Sequence, residues 1–563
     1  MSKPFAIAVY AVTIAFFAAF FVWPIAQILH GGFVDANGHF TLAFARGVFS
    51  NSIYLDGLSN AFTLGAASTL FAVLLGVPLA LVADRCEFFG KKWLLSLVLL
   101  PLLQPPFVGA IGVRQILGTY GVLNTLLSDL GLLHRPLNWL GGPARFAAMI
   151  ALTALSLYPI IYLNAVAALA NLDPALEEAA ENLGCRGFSK FFRITLPLLR
   201  PGLFAGGTVV FIWGFTELGV PLIFDYDRIT SVQVYNGLGE AGQNPFPYAL
   251  VTVLLVAAAA SYVLGRGVFG RPLPAAPVKA GHASIARRPG WLGQAACVAL
   301  FGGVIFLALL PHVAVLGVAL ASDWYGTLLP TGWTLGNFRL ALGSEMTVPA
   351  IVSSLHYSLF ASAATLVLGS AIAYVVARTD LPGRGALDML AMLPLAVPGL
   401  VLASGYLVMS QPGRVFAFLD PVQNPTVLLI IAYTVRKLPL MVRAVSAGLE
   451  QTSVAYEEAA QNLGCPPLRA LARITLPLIA ANLLAGAIMT FAQSMLEVSD
   501  SMLLAQKQQY FPIAKAIYEL MGVLGNGPFL ASALGVWAMV FLGVTIYGAS
   551  SLLGKKLGAL FRL

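Results

Sequence analysis

Five charged residues stand inside stretches that are otherwise apolar: Glu217, Arg436, Lys437, Glu497 and Asp500. A charge in such a setting is costly, so it either lines a water-filled cavity or meets an opposite charge. Glu217 and Glu497 are related by an offset of 280 residues, in GFTELGV and SMLEVSD, with Asp225 and Asp500 a few residues further on. Carboxylates lining a passage would suit a cation; the alternative is that they lie near helix ends, solvated or paired. Arg436 and Lys437, in YTVRKLPL, either neutralise these acids or contact an anionic solute, and Pro439 is expected to open the local backbone. At the same offset the first half carries Ser156 and Leu157, so the halves differ here.

A second constellation is polar rather than buried. Residues 177–198 read EEAAENLGCRGFSKFFRITLPL and residues 457–478 read EEAAQNLGCPPLRALARITLPL, identical at 14 of 22 positions. Each copy has the grammar of a short capped helix. Asp173, or Thr452 or Ser453 in the second copy, suits the cap, and Pro174 the first turn. Acids early in the helix suit its dipole, and Gly184 or Gly464 is placed to end it. Leu196-Pro197 is expected to break the following helix. The pairs Ala179-Ala180 and Ala459-Ala460 predict a small-residue face open to another protein. No G-x-x-x-x-G-K-[ST] phosphate loop occurs, since Gly90-Lys91 and Gly554-Lys555 lack the following Ser or Thr. Cys86, Cys185, Cys297 and Cys465 have no metal or redox spacing and read as inert thiols; His30, His312 and His356 read as core or helix-end residues. No cofactor, metal or catalytic residue is expected.

The elements that must position these groups are membrane helices. Of 563 residues, 59% are hydrophobic and 10% charged, against about 25% charged in a soluble domain. Twelve spans are predicted, at 5–29, 60–83, 94–116, 146–170, 202–223 and 247–265, then 292–320, 353–377, 387–410, 426–449, 481–504 and 529–553. No cleavage site follows the first, which reads as an uncleaved helix. Gly76, Arg85, Pro101 and Pro105 recur as Gly369, Arg378, Pro394 and Pro398 at an offset of 293. Two parallel six-helix repeats follow, in an all-α polytopic membrane protein. The net charge of +8 gathers between spans on the side of the repeated phrase. That points to a lipid bilayer and not to nucleic acid, with the phrase and both termini cytoplasmic.

The pattern E-A-A-x-x-x-G followed by I-x-L-P resembles the EAA motif of ABC-importer permeases. It is carried by Glu178, Ala179, Ala180, Gly184, Ile194, Leu196 and Pro197, and by Glu458, Ala459, Ala460, Gly464, Ile474, Leu476 and Pro477. The resemblance implies the type I importer permease fold in the bacterial inner membrane. It also implies that each motif is a coupling helix for a separate ATPase, present in two copies, and that a periplasmic binding protein delivers the solute. Its domains would be 59–265 and 353–553, preceded by a helix and outer segment at 1–58 and 291–352, with a linker at 266–290 and a tail at 554–563. The single-chain fusion is similar to the ferric-iron-type permeases. The implied solute is ferric iron or a related small solute; the alternative is an anionic or organic one such as aminoethylphosphonate, a sugar phosphate, thiamine or a polyamine. A more distant alternative is an ion-coupled secondary transporter driven through Glu217 and Glu497.

Overall fold

The computed structural model describes residues 3–34, 38–103, 105–170, 172–238, 246–269 and 287–553. The expected linker lies outside these residues over 270–286, as does the whole tail at 554–563. Helices dominate, and among the described residues the sheet structure amounts to one antiparallel pair, Ala321–Asp323 with Gly332–Trp333. Among the described residues eight helices are long and apolar enough to cross a bilayer, and three bent pairs raise the number to eleven.

The expected count of twelve changes at one element. The span predicted at 426–449 is the 25-residue helix Thr426–Glu450, which is too charged to pass for a lipid-facing span. Much of its surface is covered by protein instead: Leu428, Ala432, Tyr433, Leu438, Met441 and Val445 are all buried. It packs against Thr347–Arg378 and Ala480–Met495.

Two spans predicted as straight are broken. Lys91–Leu102 and Pro106–Asp129 meet at 96°, and Arg384–Leu395 and Gly399–Met409 meet at 95°. The breaks occur at equivalent places, since the second set starts 293 residues after the first. Their cause is proline. Pro105 and Pro398 stand in extended conformation immediately before the second helix of each pair, where a missing N–H does no harm and continuation from the first helix is blocked. Leu196-Pro197, by contrast, breaks nothing: Gly187–Lys190 runs on through residues 191–195 into Leu196–Phe215. A wide turn at Phe191–Thr195, closed by Leu196 N–H donating to Phe191 O, makes room for the proline. In the second copy the chain bends by 74° at Ile479, two residues beyond Pro477.

The chain forms two compact units that do not follow the two halves of the sequence. Among the described residues, one comprises 3–57, 230–256 and 338–553; the other comprises 58–229 and 257–337. Each unit takes the opening helix of the other half. In the first, Trp23–Phe33 crosses Gly399–Met409; in the second, Trp291–Leu320 crosses Pro106–Leu117. Both crossings pair a proline with a glycine. A Cβ on Gly405 would lie 2.7 Å from Pro24 Cβ, and one on Gly112 would lie 2.1 Å from Pro311 O. Tyrosines in the cores send their hydroxyls to backbone carbonyls, Tyr406 to Phe20 at 2.7 Å and Tyr158 to Val98 at 3.1 Å.

The crossings predict a contrast between glycines. Gly405→Ala should destabilise the protein by about 1–3 kcal/mol through overpacking. Gly302→Ala, whose Cβ would meet nothing within 4 Å, should stabilise by about 0.5–1 kcal/mol through helix propensity. Thermal unfolding of the two variants in detergent checks this; equal shifts would contradict the close crossing.

Candidate functional site

The repeated phrase folds as the same device twice. The first copy is the helix Pro174–Asn182, capped by the Asp173 side chain, which accepts from Ala175 N–H at 3.0 Å. The second is Ala455–Asn462, where Ser453 Oγ accepts from Ala455 N–H at 3.3 Å. Both end on a left-handed glycine, Gly184 at φ +83° and Gly464 at φ +85°. Around each glycine run the two bonds of a Schellman close. Cys185 N–H donates to Ala180 O at 2.9 Å and Gly184 N–H to Glu181 O at 2.9 Å; Cys465 and Gly464 do the same to Ala460 and Gln461 at 3.0 and 2.9 Å.

The faces differ from the sequence expectation. Glu178, Ala179, Glu458 and Ala459 are exposed, but Ala180 is buried and Ala460 half-buried. The paired alanines therefore do not form one open face: adjacent helical residues diverge, and the second of each pair turns inward. Ile194, Leu196, Ile474 and Leu476 are half-buried in the segment that follows, with Pro197 half-buried and Pro477 exposed. What projects is apolar. Leu183 is 88% exposed and Leu463 90%, at matching positions, and exposed Phe188 matches exposed Leu468.

Residues outside the predicted set fix the device in place. Glu177, the acid before Glu178, pairs with Arg85 at the end of the Ser52–Arg85 helix. Thr195 Oγ1 also donates to its Oε1 at 2.7 Å. Lys190 reaches Glu177 at 3.5 Å and Glu181 at 2.7 Å; its hydrogen bond holds the exposed Glu181 carboxyl below its ordinary value. In the second copy Glu457 lies 3.3 Å from Arg378 Nε and accepts from Tyr374 OH at 2.8 Å, all three being largely buried. Arg378 also donates to Leu449 O at 2.8 Å and Thr452 O at 2.6 Å. Both anchors were signalled in sequence: Glu177 and Glu457 are among the identities of the phrase, and Arg85 and Arg378 recur at the 293 offset.

The charged residues predicted for the second half come together as one network. Arg436 pairs with Glu497, and its Nη1 lies 3.3 Å from Asp500 Oδ2; Lys437 Nζ lies 2.8 Å from Glu497 Oε2. Two cations and two acids close to zero net charge. Lys437, Glu497 and Asp500 are buried. Glu497 does not sit within a continuous helix but in the break between Ala480–Met495 and Ser499–Leu504. Ser501 Oγ donates to the Glu497 carbonyl at 2.5 Å and shares a 2.8 Å hydrogen bond with Tyr433 OH. The Arg436 guanidinium fills the space beside Gly399, whose Cβ would lie 2.3 Å from Cζ.

The first half has the break without the network. Glu217 lies between Leu196–Phe215 and Gly219–Ile223, and its Oε1 accepts from Val220 N–H at 3.1 Å. Ser156, Leu157 and Val220 stand where the second half has Arg436, Lys437 and Asp500. Asp225 is exposed, 3.4 Å from Arg114.

Residues 72–271 and 365–551 match the model of the binding-protein-dependent transport system inner membrane component. The chain belongs to this family. The two matched stretches contain both helices of the repeated phrase and all five charged residues described above. A putative ferric transport system permease protein of Haemophilus influenzae, FbpB 1, is 28% identical over 472 residues, covering 82% of this chain and 70% of its own length. The ferric transport system permease protein FbpB of Actinobacillus pleuropneumoniae is 28% identical over 464 residues, 80% of this chain and 64% of its own length. The chain thus spans about two thirds of these relatives. A molybdenum transport system permease protein of Mycobacterium tuberculosis, ModB, is 36% identical over 205 residues, 36% of this chain and 74% of its own length. This family member is thus a multi-pass transport component of the membrane.

The network makes a stability prediction. Removing one partner of a buried ion pair costs about 3–5 kcal/mol, because the other charge is left uncompensated. Glu497→Ala should therefore destabilise strongly, and Lys437→Met combined with Glu497→Ala should cost less than the sum of the two single changes. A double-mutant cycle on thermal unfolding measures this coupling; additive effects would contradict the pairing.

Proposed function

We propose that this chain is the permease subunit of a bacterial inner-membrane importer for ferric iron or a related small solute. In this reading two copies of a separate ATPase subunit engage the helices Pro174–Asn182 and Ala455–Asn462, and a periplasmic binding protein delivers the solute on the opposite side. Both termini then lie in the cytoplasm. The observation that carries the reading is the duplicated, identically closed helix, with Glu178 or Glu458, Ala179 or Ala459 and Leu183 or Leu463 turned outward. An apolar side chain that stays exposed beside a rigid cap is a natural anchor for a partner's pocket. ATP-driven closure of the ATPase pair would move both helices, and rigid anchoring through Arg85–Glu177 and Arg378–Glu457 would carry that motion into the membrane helices.

For the solute, the ferric reading rests on the two relatives that align with about four fifths of this chain. The spermidine/putrescine permease PotB of Haemophilus influenzae aligns with 29% of it. Arg436 and Lys437, the cations that would contact an anionic solute, both have carboxylate partners within the chain. The same pairing removes Glu497 and Asp500 as free acids for a cation.

Cells expressing the chain with its ATPase and binding protein should take up radiolabelled ferric iron. A Gly184→Val, Gly464→Val double variant should reach the membrane yet lose uptake, because valine at φ near +84° distorts both caps. Unchanged uptake would overturn the docking assignment. Uptake of molybdate or spermidine in place of iron would keep the machine and replace the solute.

A further inference from the structure

Three apolar segments end at one corner of the second unit. Ser52–Arg85 stops there, Lys91–Leu102 starts there, and Trp291–Leu320 begins beside them. Backbone pairing holds these distant parts of the sequence together: Arg287 N–H donates to Arg85 O at 2.9 Å, and Glu87 N–H donates to Arg287 O at 3.0 Å. Because the apolar helices run away from this corner, it lies at the membrane–water boundary.

The side chains gathered there are of two kinds. Phe89, Trp93 and Trp291 are 84%, 80% and 77% exposed, and Lys92, Arg287 and Arg288 are exposed around them. Lys91 is already matched, 2.8 Å from Glu87 and 2.9 Å from Cys86 O. Lys92, Arg287 and Arg288 form no ion pair among the described residues; Glu87 lies near Lys92 and Arg288, but its carboxylate is bonded to Lys91, and the cations outnumber it. Aromatic rings settle at headgroup depth, and cations next to a bilayer are drawn to anionic lipid. The corresponding turn of the second half is built differently, with Tyr10 OH donating to Pro382 O at 3.3 Å. There Pro382, Gly385 and Ala386 replace Phe89, Lys92 and Trp93, and Arg384 is paired with Asp380 at 2.9 Å.

We propose that this corner binds the headgroups of anionic phospholipid in the leaflet it borders. Its three cations contact the phosphate, and Phe89, Trp93 and Trp291 lie along the glycerol and upper acyl region. Arg85 takes part in the backbone pairing through its carbonyl and holds Glu177 through its side chain. A lipid bound here would therefore brace the anchor of the first repeated helix.

The test uses the full chain in nanodiscs of phosphatidylcholine containing a minor fraction of phosphatidylglycerol, with retained lipid counted by native mass spectrometry. Each cation near an anionic surface strengthens association about fivefold. The Lys92→Gln, Arg287→Gln, Arg288→Gln variant should lose phosphatidylglycerol retention at least tenfold while phosphatidylcholine retention stays level. In the parent chain, brominated phosphatidylglycerol should quench tryptophan emission more than in Trp93→Phe, with no such difference for brominated phosphatidylcholine. Equal phosphatidylglycerol retention by variant and parent overturns the proposal. So does a photoreactive probe at position 93 that captures protein and no lipid.

Discussion

A charge or an unpaired backbone group cannot be left facing hydrocarbon, and this constraint organises the chain. It explains why the helix that carries Arg436 and Lys437 is enclosed by protein, against Thr347–Arg378 and Ala480–Met495. It also explains why the two cations and the two acids Glu497 and Asp500 close on one another. A helix break inside a membrane protein needs the same protection. Gly399–Met409, which follows one break, is covered by Trp23–Phe33, and Pro106–Leu117, which follows the equivalent break, is covered by Trp291–Leu320. The glycine–proline crossings let backbones approach closely enough to do this.

Outside the hydrocarbon the demands are different. The repeated helices are short, and helices of this length are not stable alone. Their stability comes from closure at both ends and from one side-chain anchor each. The cap and the left-handed glycine satisfy the terminal backbone groups, and the Arg85–Glu177 and Arg378–Glu457 pairs tie the helices to the ends of Ser52–Arg85 and Thr347–Arg378. The anchors use different auxiliaries, Thr195 and Lys190 in one and Tyr374 in the other. The arginine and the glutamate are the common core.

Much of this was legible in the sequence, because it depends on local chemistry. The caps, the glycine closures, the apolar spans and the duplicated order follow from residue type and spacing within a few turns. What was not legible depends on contacts between distant residues. The pairing of Arg436 with Glu497 was one of two readings open in the sequence, but across 61 residues residue type does not choose between a partner in the chain and a solute. The buried Ala180 looked equivalent to exposed Ala179 because sequence does not fix which way a short helix is rotated. Pro197 looked like a break because the widened turn before it has no residue signature. The helix Thr426–Glu450 was counted as an ordinary span because its length suits one; only packing reveals that protein shields its charges. The exchange of opening helices between the halves has no local signature, although the matched glycines 112 and 405 lie at the 293 offset.

The central claim is that the two Arg–Glu anchors hold the repeated helices in the position from which they couple to an ATPase. The most direct measurement is ATP hydrolysis by the complex reconstituted in proteoliposomes, with and without solute-loaded binding protein, comparing the parent with Arg85→Gln and Arg378→Gln. The account predicts that each variant still assembles with the ATPase but loses most of the stimulation by binding protein. The loss should be greater for Arg378, whose pair with Glu457 is more deeply buried. Full stimulation in both variants would contradict it.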